Sequence, residues 1–141
     1  MKKYIAVLLA LIVLICSSVA YAALPETDGI QASDYFQSYG MSISAIGSGK
    51  LRLTFSCSAV GIADQLGVAN YMVQKKNSSG NWEDITGLLT GSTITNTTSH
   101  SFSKIFTGVA GETYRVKCTF VCVKNNSSEH KSYTSGQKKA T

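Results

Sequence analysis

The residues that could do chemistry begin with two cysteines four apart, Cys118 and Cys122, in the stretch GETYRVKCTFVCVKNN, and a third, Cys57, in KLRLTFSCSA. On a helix an i, i+4 pair would form half of a metal site. On a strand both residues look to one face, roughly 13 Å apart at 3.3 Å per residue. That is too far to share one tetrahedral ion, and too far for a mutual disulfide, whose Cα atoms must lie within about 7 Å. The alternation around the pair (Tyr114, Val116, Cys118, Phe120, Cys122) selects the strand. No metal site is expected there.

His100 and His130 are the two histidines of the sequence, both beside Ser-, Thr- and Asn-rich turns. Nucleophilic catalysis needs an activated nucleophile, a base and an orienting carboxylate. No GxSxG and no Cys–His pairing stands in the chain. Glycoside hydrolysis would need two cooperating carboxylates, drawn from Glu83, Asp84, Glu112 or Glu129. Glu83 and Asp84 are adjacent and would point opposite ways on a strand. The expectation is a protein that is not an enzyme and holds no cofactor. Trp82, with Tyr71, Tyr133 and Arg115, forms the best set of candidate binding groups, because aromatic faces stack on sugar rings and dominate protein interfaces. Packing behind the neighbouring hairpin is the competing role for Trp82.

The elements that must position these residues follow a short opening segment, MKKYIAVLLALIVLICSSVAYAA. Two lysines, about a dozen apolar residues and small residues before Ala23 are the three parts of a secretory signal peptide. The apolar run falls short of the roughly 20 residues that span a bilayer. Residues 1–22 are therefore expected to be removed after Ala22, which places the protein outside the cell with no membrane span left. Lys2 and Lys3 leave with the signal, which reduces a formal net charge of +5. What remains is too small for nucleic-acid binding, which wants a concentrated basic face.

Residues 23–39 read as a flexible leader and 40–141 as one domain. With a single proline and no 3.6-residue apolar stripe after residue 22, the domain reads as strands separated by polar turns. In KLRLTFSCSA, Leu51, Leu53, Phe55, Cys57 and Ala59 point inward, and GIADQLG after them reads as a loop. VANYMVQKK and WEDIT flank a hairpin loop at NSSGN. GLLTGSTITNTTS reads as a wandering edge. In HSFSKIF, Lys104 falls on the face of Phe102 and Phe106, which requires a bulge or a lysine reaching outward. ETYRVKCTFVCVK and, after NNSSE, HKSYTSGQKKA complete seven strands. The fold class expected is all-β, with antiparallel sheets.

GVAGETYRVKCTF resembles the corner that opens strand F of fibronectin type III domains, with Val109, Gly111 and Tyr114 on the pattern and Ala110 where proline is usual. YMVQKKNSSGNWEDI resembles their C–C′ hairpin. Residues 33–141 also resemble small secreted single-domain proteins of Gram-positive bacteria grouped as a domain of unknown function. The resemblance implies a seven-stranded immunoglobulin/fibronectin III-like β-sandwich, with Tyr114 as a tyrosine corner whose hydroxyl bonds nearby backbone. It implies that Cys57 on strand B faces strand F, so that a Cys57–Cys118 disulfide is the first choice. Cys57–Cys122, or three buried thiols, remain open. The function expected is a non-catalytic module binding a cell-surface protein or glycan. The alternative is a self-associating subunit of an extracellular matrix or filament; the oligomeric state is left open.

Overall fold

The computed structural model describes residues 33–141; the expected signal, with residues 23–32, lies outside the described residues. Seven strands and no helix make up the described chain: β1 Phe36–Gly47, β2 Lys50–Lys76, β3 Trp82–Asp84, β4 Leu89–Thr107, β5 Thr113–Lys124, β6 Ser127–Thr134 and β7 Lys138–Lys139. Every pairing is antiparallel. The all-β, antiparallel, seven-stranded expectation holds. No helix among the described residues is long and apolar enough to cross a membrane. Phe36 is buried at the start of β1, so the sheet takes up the end of the segment read as leader.

GIADQLG, read above as a loop, is the middle of the 27-residue β2. Gly61 adopts φ +76°, and the β2–β4 register shifts between Ser58 and Ala63. A bulge of this kind bends a strand without ending it. β4 bends alongside at Asn96, φ +51°. The bend is sharp. Phe55 and Tyr71 would stand about 50 Å apart on a straight strand, yet their ring centroids are 5.2 Å apart. Within β4, Ser92 Oγ and His100 Nε2 meet at 3.0 Å. The β2–β4 ribbon thus folds back on itself. β4 accompanies both halves of β2, while the other edge passes from β1 to β5.

The core fills the fold. Leu51, Leu53 and Phe55 come from the first half of β2 and Leu66, Val68 and Val73 from the second; β5 adds Tyr114, Val116, Phe120 and Cys122, and none is more than 1% exposed. Alternation places these side chains inward within each stretch, and the register shift between Val68 and Asn70 moves the inward set of β2 from Leu66 and Val68 to Tyr71 and Val73. Lys104 pairs with Leu53 in a register unbroken from Thr107 to Ser99, and it is exposed. Of the two alternatives, the lysine reaches outward and no bulge forms. The β5–β6 loop is Asn125-Asn126, both with positive φ (+51° and +62°), as a two-residue type I′ hairpin requires. Asn125 N–H donates to Asp64 Oδ2 at 2.8 Å, and Lys124 Nζ donates to the Val60 carbonyl, so this loop braces the bend of β2.

Glu129 on β6 clasps the entrance to β1. Its carboxylate accepts from Ser33 Oγ at 2.6 Å and Tyr35 N–H at 3.1 Å, and pairs with Lys131 Nζ at 2.8 Å. Burial pushes its pKa up, but the hydrogen bonds from Lys131, Ser33 and Tyr35 outweigh this and hold it below the ordinary value. A carboxyl with a lowered folded pKa contributes stability above its unfolded pKa, about 4.3, and that contribution is lost as pH falls through the folded value. Glu129→Gln is expected to lower stability at neutral pH by under about 1 kcal/mol, since solvent screens the site. It should also flatten the acid limb of a stability–pH curve measured by denaturant titration.

Candidate functional site

The outer face of β3–β2–β5–β6 carries the candidate site, and register decides its membership. Gln74 pairs with Asp84 across β2–β3 and with Arg115 across β2–β5. Met72 stands opposite Lys117, and Asn70 opposite Thr119, which in turn faces Ser132 on β6. These side chains share one face because they are spaced by two along each strand. An open groove of about 440 Å³ runs over this face, lined by Asn70, Met72, Lys117, Thr119 and Ser132, with Leu88 of the β3–β4 connection at its wall.

One end of the face is tightly organised. Gln74 is only 5% exposed. Its amide nitrogen donates to Asp84 Oδ1 at 2.5 Å, and its amide oxygen accepts from Arg115 Nε at 2.7 Å. A buried amide with both ends satisfied fixes its partners. The Arg115 guanidinium lies 4.3 Å from the centroid of the Trp82 ring, with Lys76 Nζ at 5.8 Å. Cation–π contacts at exposed sites are worth about 0.5–1 kcal/mol. Trp82 is held by the β2–β3 hairpin, where Asn77 N–H bonds the Asn81 carbonyl at 2.8 Å and Asn77 Oδ1 accepts from Asn81 N–H at 2.9 Å. Trp82 and Arg115 are therefore brought together.

Tyr71 does not reach this surface, whereas Tyr133 lines the groove. Tyr71 is 7% exposed and packs against Phe55. Tyr133, half-buried, meets Tyr39 and Phe120 edge-on, at 6.4 and 6.3 Å. Both sit opposite inward-facing Cys118 in the ladder; Tyr71 is buried there, while Tyr133 on β6 packs its ring against the core and still borders the groove. Gln74, Asp84 and Lys117 belong to the face but escape a reading by sequence, because nothing short of strand register joins them.

All three described cysteines are buried free thiols, so the expected Cys57–Cys118 disulfide is not formed. Cys118 lies beside Tyr71 on the second half of β2, whereas Cys57 lies on the first half, opposite Tyr39 and His100. The thiol whose charge reaches Cys57 is Cys122. Burial pushes Cys118 up to about 12, and burial with the nearby Cys122 pushes Cys57 up to about 11. Burial also raises Cys122. The thiolate is the reactive form. A colorimetric thiol reagent at mildly alkaline pH is expected to find none of these thiols in the native protein and all of them in denaturant. Rapid labelling of a native thiol would contradict that.

Tyr114 is 1% exposed, and its hydroxyl accepts the Val109 N–H at 2.8 Å. Gly108 lies flat against its ring, where a Cβ would come within 2.7 Å. Among the described residues, no group of three His, Cys, Asp or Glu side chains could hold a metal ion. His100 stacks on Phe102 with centroids 5.6 Å apart, and His130 is exposed. No protein-family model, curated protein or solved structure matches the chain.

Proposed function

We propose that this chain is a secreted, non-catalytic binding module, an immunoglobulin/fibronectin III-like β-sandwich that attaches to a cell-surface glycan or protein. The observation that carries the reading is the outer face itself. Arg115 is gripped by Trp82 and Gln74 beside an open groove of amide and hydroxyl side chains. A fixed arginine and an aromatic next to a groove are the groups that anchor interfaces. Support for two packed layers comes from the fold-back of β2, which sets Phe55 against Tyr71. The Tyr114–Val109 hydrogen bond supports the corner resemblance. Secretion rests on the opening segment, residues 1–22.

Retention of the purified protein on cells, mucin or a glycan array tests this reading. Trp82→Ala is expected to abolish retention with a small change in Tm. A large fall in Tm would assign Trp82 to packing, and no retention of the parent protein would remove the reading.

A second reading, self-assembly into a matrix or filament, is favoured by β4. Among the described residues this 19-residue strand pairs only with β2, and Leu89, Ile94 and Ile105 on it are exposed. Unpaired edges of this kind template further strands. Lys104 is the charge that interrupts the strand, and an inward-register charge is a common guard. Lys104→Ile is expected to raise the association seen by light scattering across a concentration series. A strictly monomeric parent protein would sink the assembly reading.

A further inference from the structure

Lys117 is the cation within the groove; it is exposed and forms no ion pair among the described residues. Two residues away on the same face, Arg115 gives its Nε to Gln74 and lays its plane on Trp82. Its two terminal amino groups form no hydrogen bond or ion pair among the described residues. Residues two apart on a strand are separated by roughly 7 Å. Ordering a long arginine side chain costs conformational entropy. What is left free is the fork that recognises carboxylates in two parallel hydrogen bonds.

The rest of the groove is suited to sugar. Asn70, Thr119 and Ser132 offer an amide and two hydroxyls, which pair with ligand hydroxyls as donors or acceptors. Asp84 also lines the groove; its Oδ1 is taken by Gln74, and Oδ2 remains to accept from a hydroxyl. Met72 and Leu88 supply apolar contact for the C–H face of a ring. A purely anionic ligand would be repelled by Asp84, and a neutral one would leave Lys117 and the Arg115 fork unused. A ligand with both many hydroxyls and carboxylates uses all of them.

We propose that this groove binds an acidic glycan, its carboxylates taken by Lys117 and Arg115 and its hydroxyls by Asn70, Thr119, Ser132 and Asp84. This rests on the binding reading above and names its ligand class. Gln74 and Trp82 act as positioning residues for Arg115.

The test is calorimetric titration of the purified protein with tetragalacturonate and with its neutral methyl ester at low ionic strength. The acid is expected to bind about tenfold tighter than the ester or more, as a charge-assisted contact implies. Added salt should weaken the difference. Lys117→Met should remove most of it with Tm unchanged, and Arg115→Lys, which keeps the charge and loses the fork, should remove part. Equal binding of acid and ester, or discrimination that survives Lys117→Met, overturns the assignment. So does binding of neither form. In each of these cases, retention of the parent protein on cells leaves the broader binding reading standing, and its absence removes that as well.

Discussion

Phe55→Ala is expected to destabilise the protein by about 3–5 kcal/mol, the range for truncating a buried aromatic. Phe55 is 1% exposed and stacks on Phe102 of β4 at 4.8 Å with an interplanar angle of 11°. It also meets Tyr71 from the far half of its own strand. One ring therefore joins the two halves of β2 and ties both to β4. A loss of this size takes a large share of the 5–15 kcal/mol that holds a typical domain together, and should lower Tm by roughly 10–20 °C. Phe102→Ala provides the comparison. Phe102 is partly buried and touches the same ring, so its truncation should cost less. A Phe55→Ala protein with parental denaturant midpoint would mean that the fold-back of β2 does not depend on this contact.

The second large effect concerns the crossing of β2 and β4 near the other end of the ribbon. A Cβ at Gly91 would run into the Val68 carbonyl, and one at Gly67 into the Ser92 carbonyl. These clashes are with backbone, which cannot swing aside as a side chain can. β2 and β4 are paired on both sides of this point, Leu66 with Ile94 through Val68 with Ser92 and Asn70 with Thr90, which holds the two backbones together. Gly91→Ala is expected to cost about 3 kcal/mol or more, at the upper end of overpacking effects. Gly87→Ala is the control. Nothing lies within 4 Å of its added Cβ, and restricting the unfolded chain should make that change neutral or slightly stabilising. Equal stability of the two variants would show that β2 and β4 are not packed this closely.

Alternation made much of the core legible before any coordinates. Leu51, Leu53, Phe55, Cys57 and Ala59, and Tyr114 through Cys122 on β5, all point where period-two spacing puts them. GIADQLG misled because glycine marks both a turn and a bulge; only the tertiary fold-back distinguishes them. The disulfide failed for the same reason. It assumed that strand B faces strand F at these positions, whereas Cys57 on the first half of β2 pairs with Tyr39 and His100, and Cys118 pairs with Tyr71 on the second half and with Tyr133. At the site, Trp82 and Arg115 were legible as residue types. Tyr71 was read as surface although it shares the parity of buried Val73, while Tyr133 does border the groove. Asp84, Gln74 and Lys117 come from three strands whose register no local pattern encodes.

Amide-resolved NMR of labelled protein, titrated with fragmented cell-surface glycan and then concentrated without ligand, tests the outer-face assignment most directly. Shifts on ligand addition are expected at Gln74, Trp82, Arg115, Lys117 and Thr119, with the spectrum insensitive to protein concentration. Shifts confined to Leu89–Thr107, growing with concentration and indifferent to glycan, would contradict it and make the β4 edge the working surface.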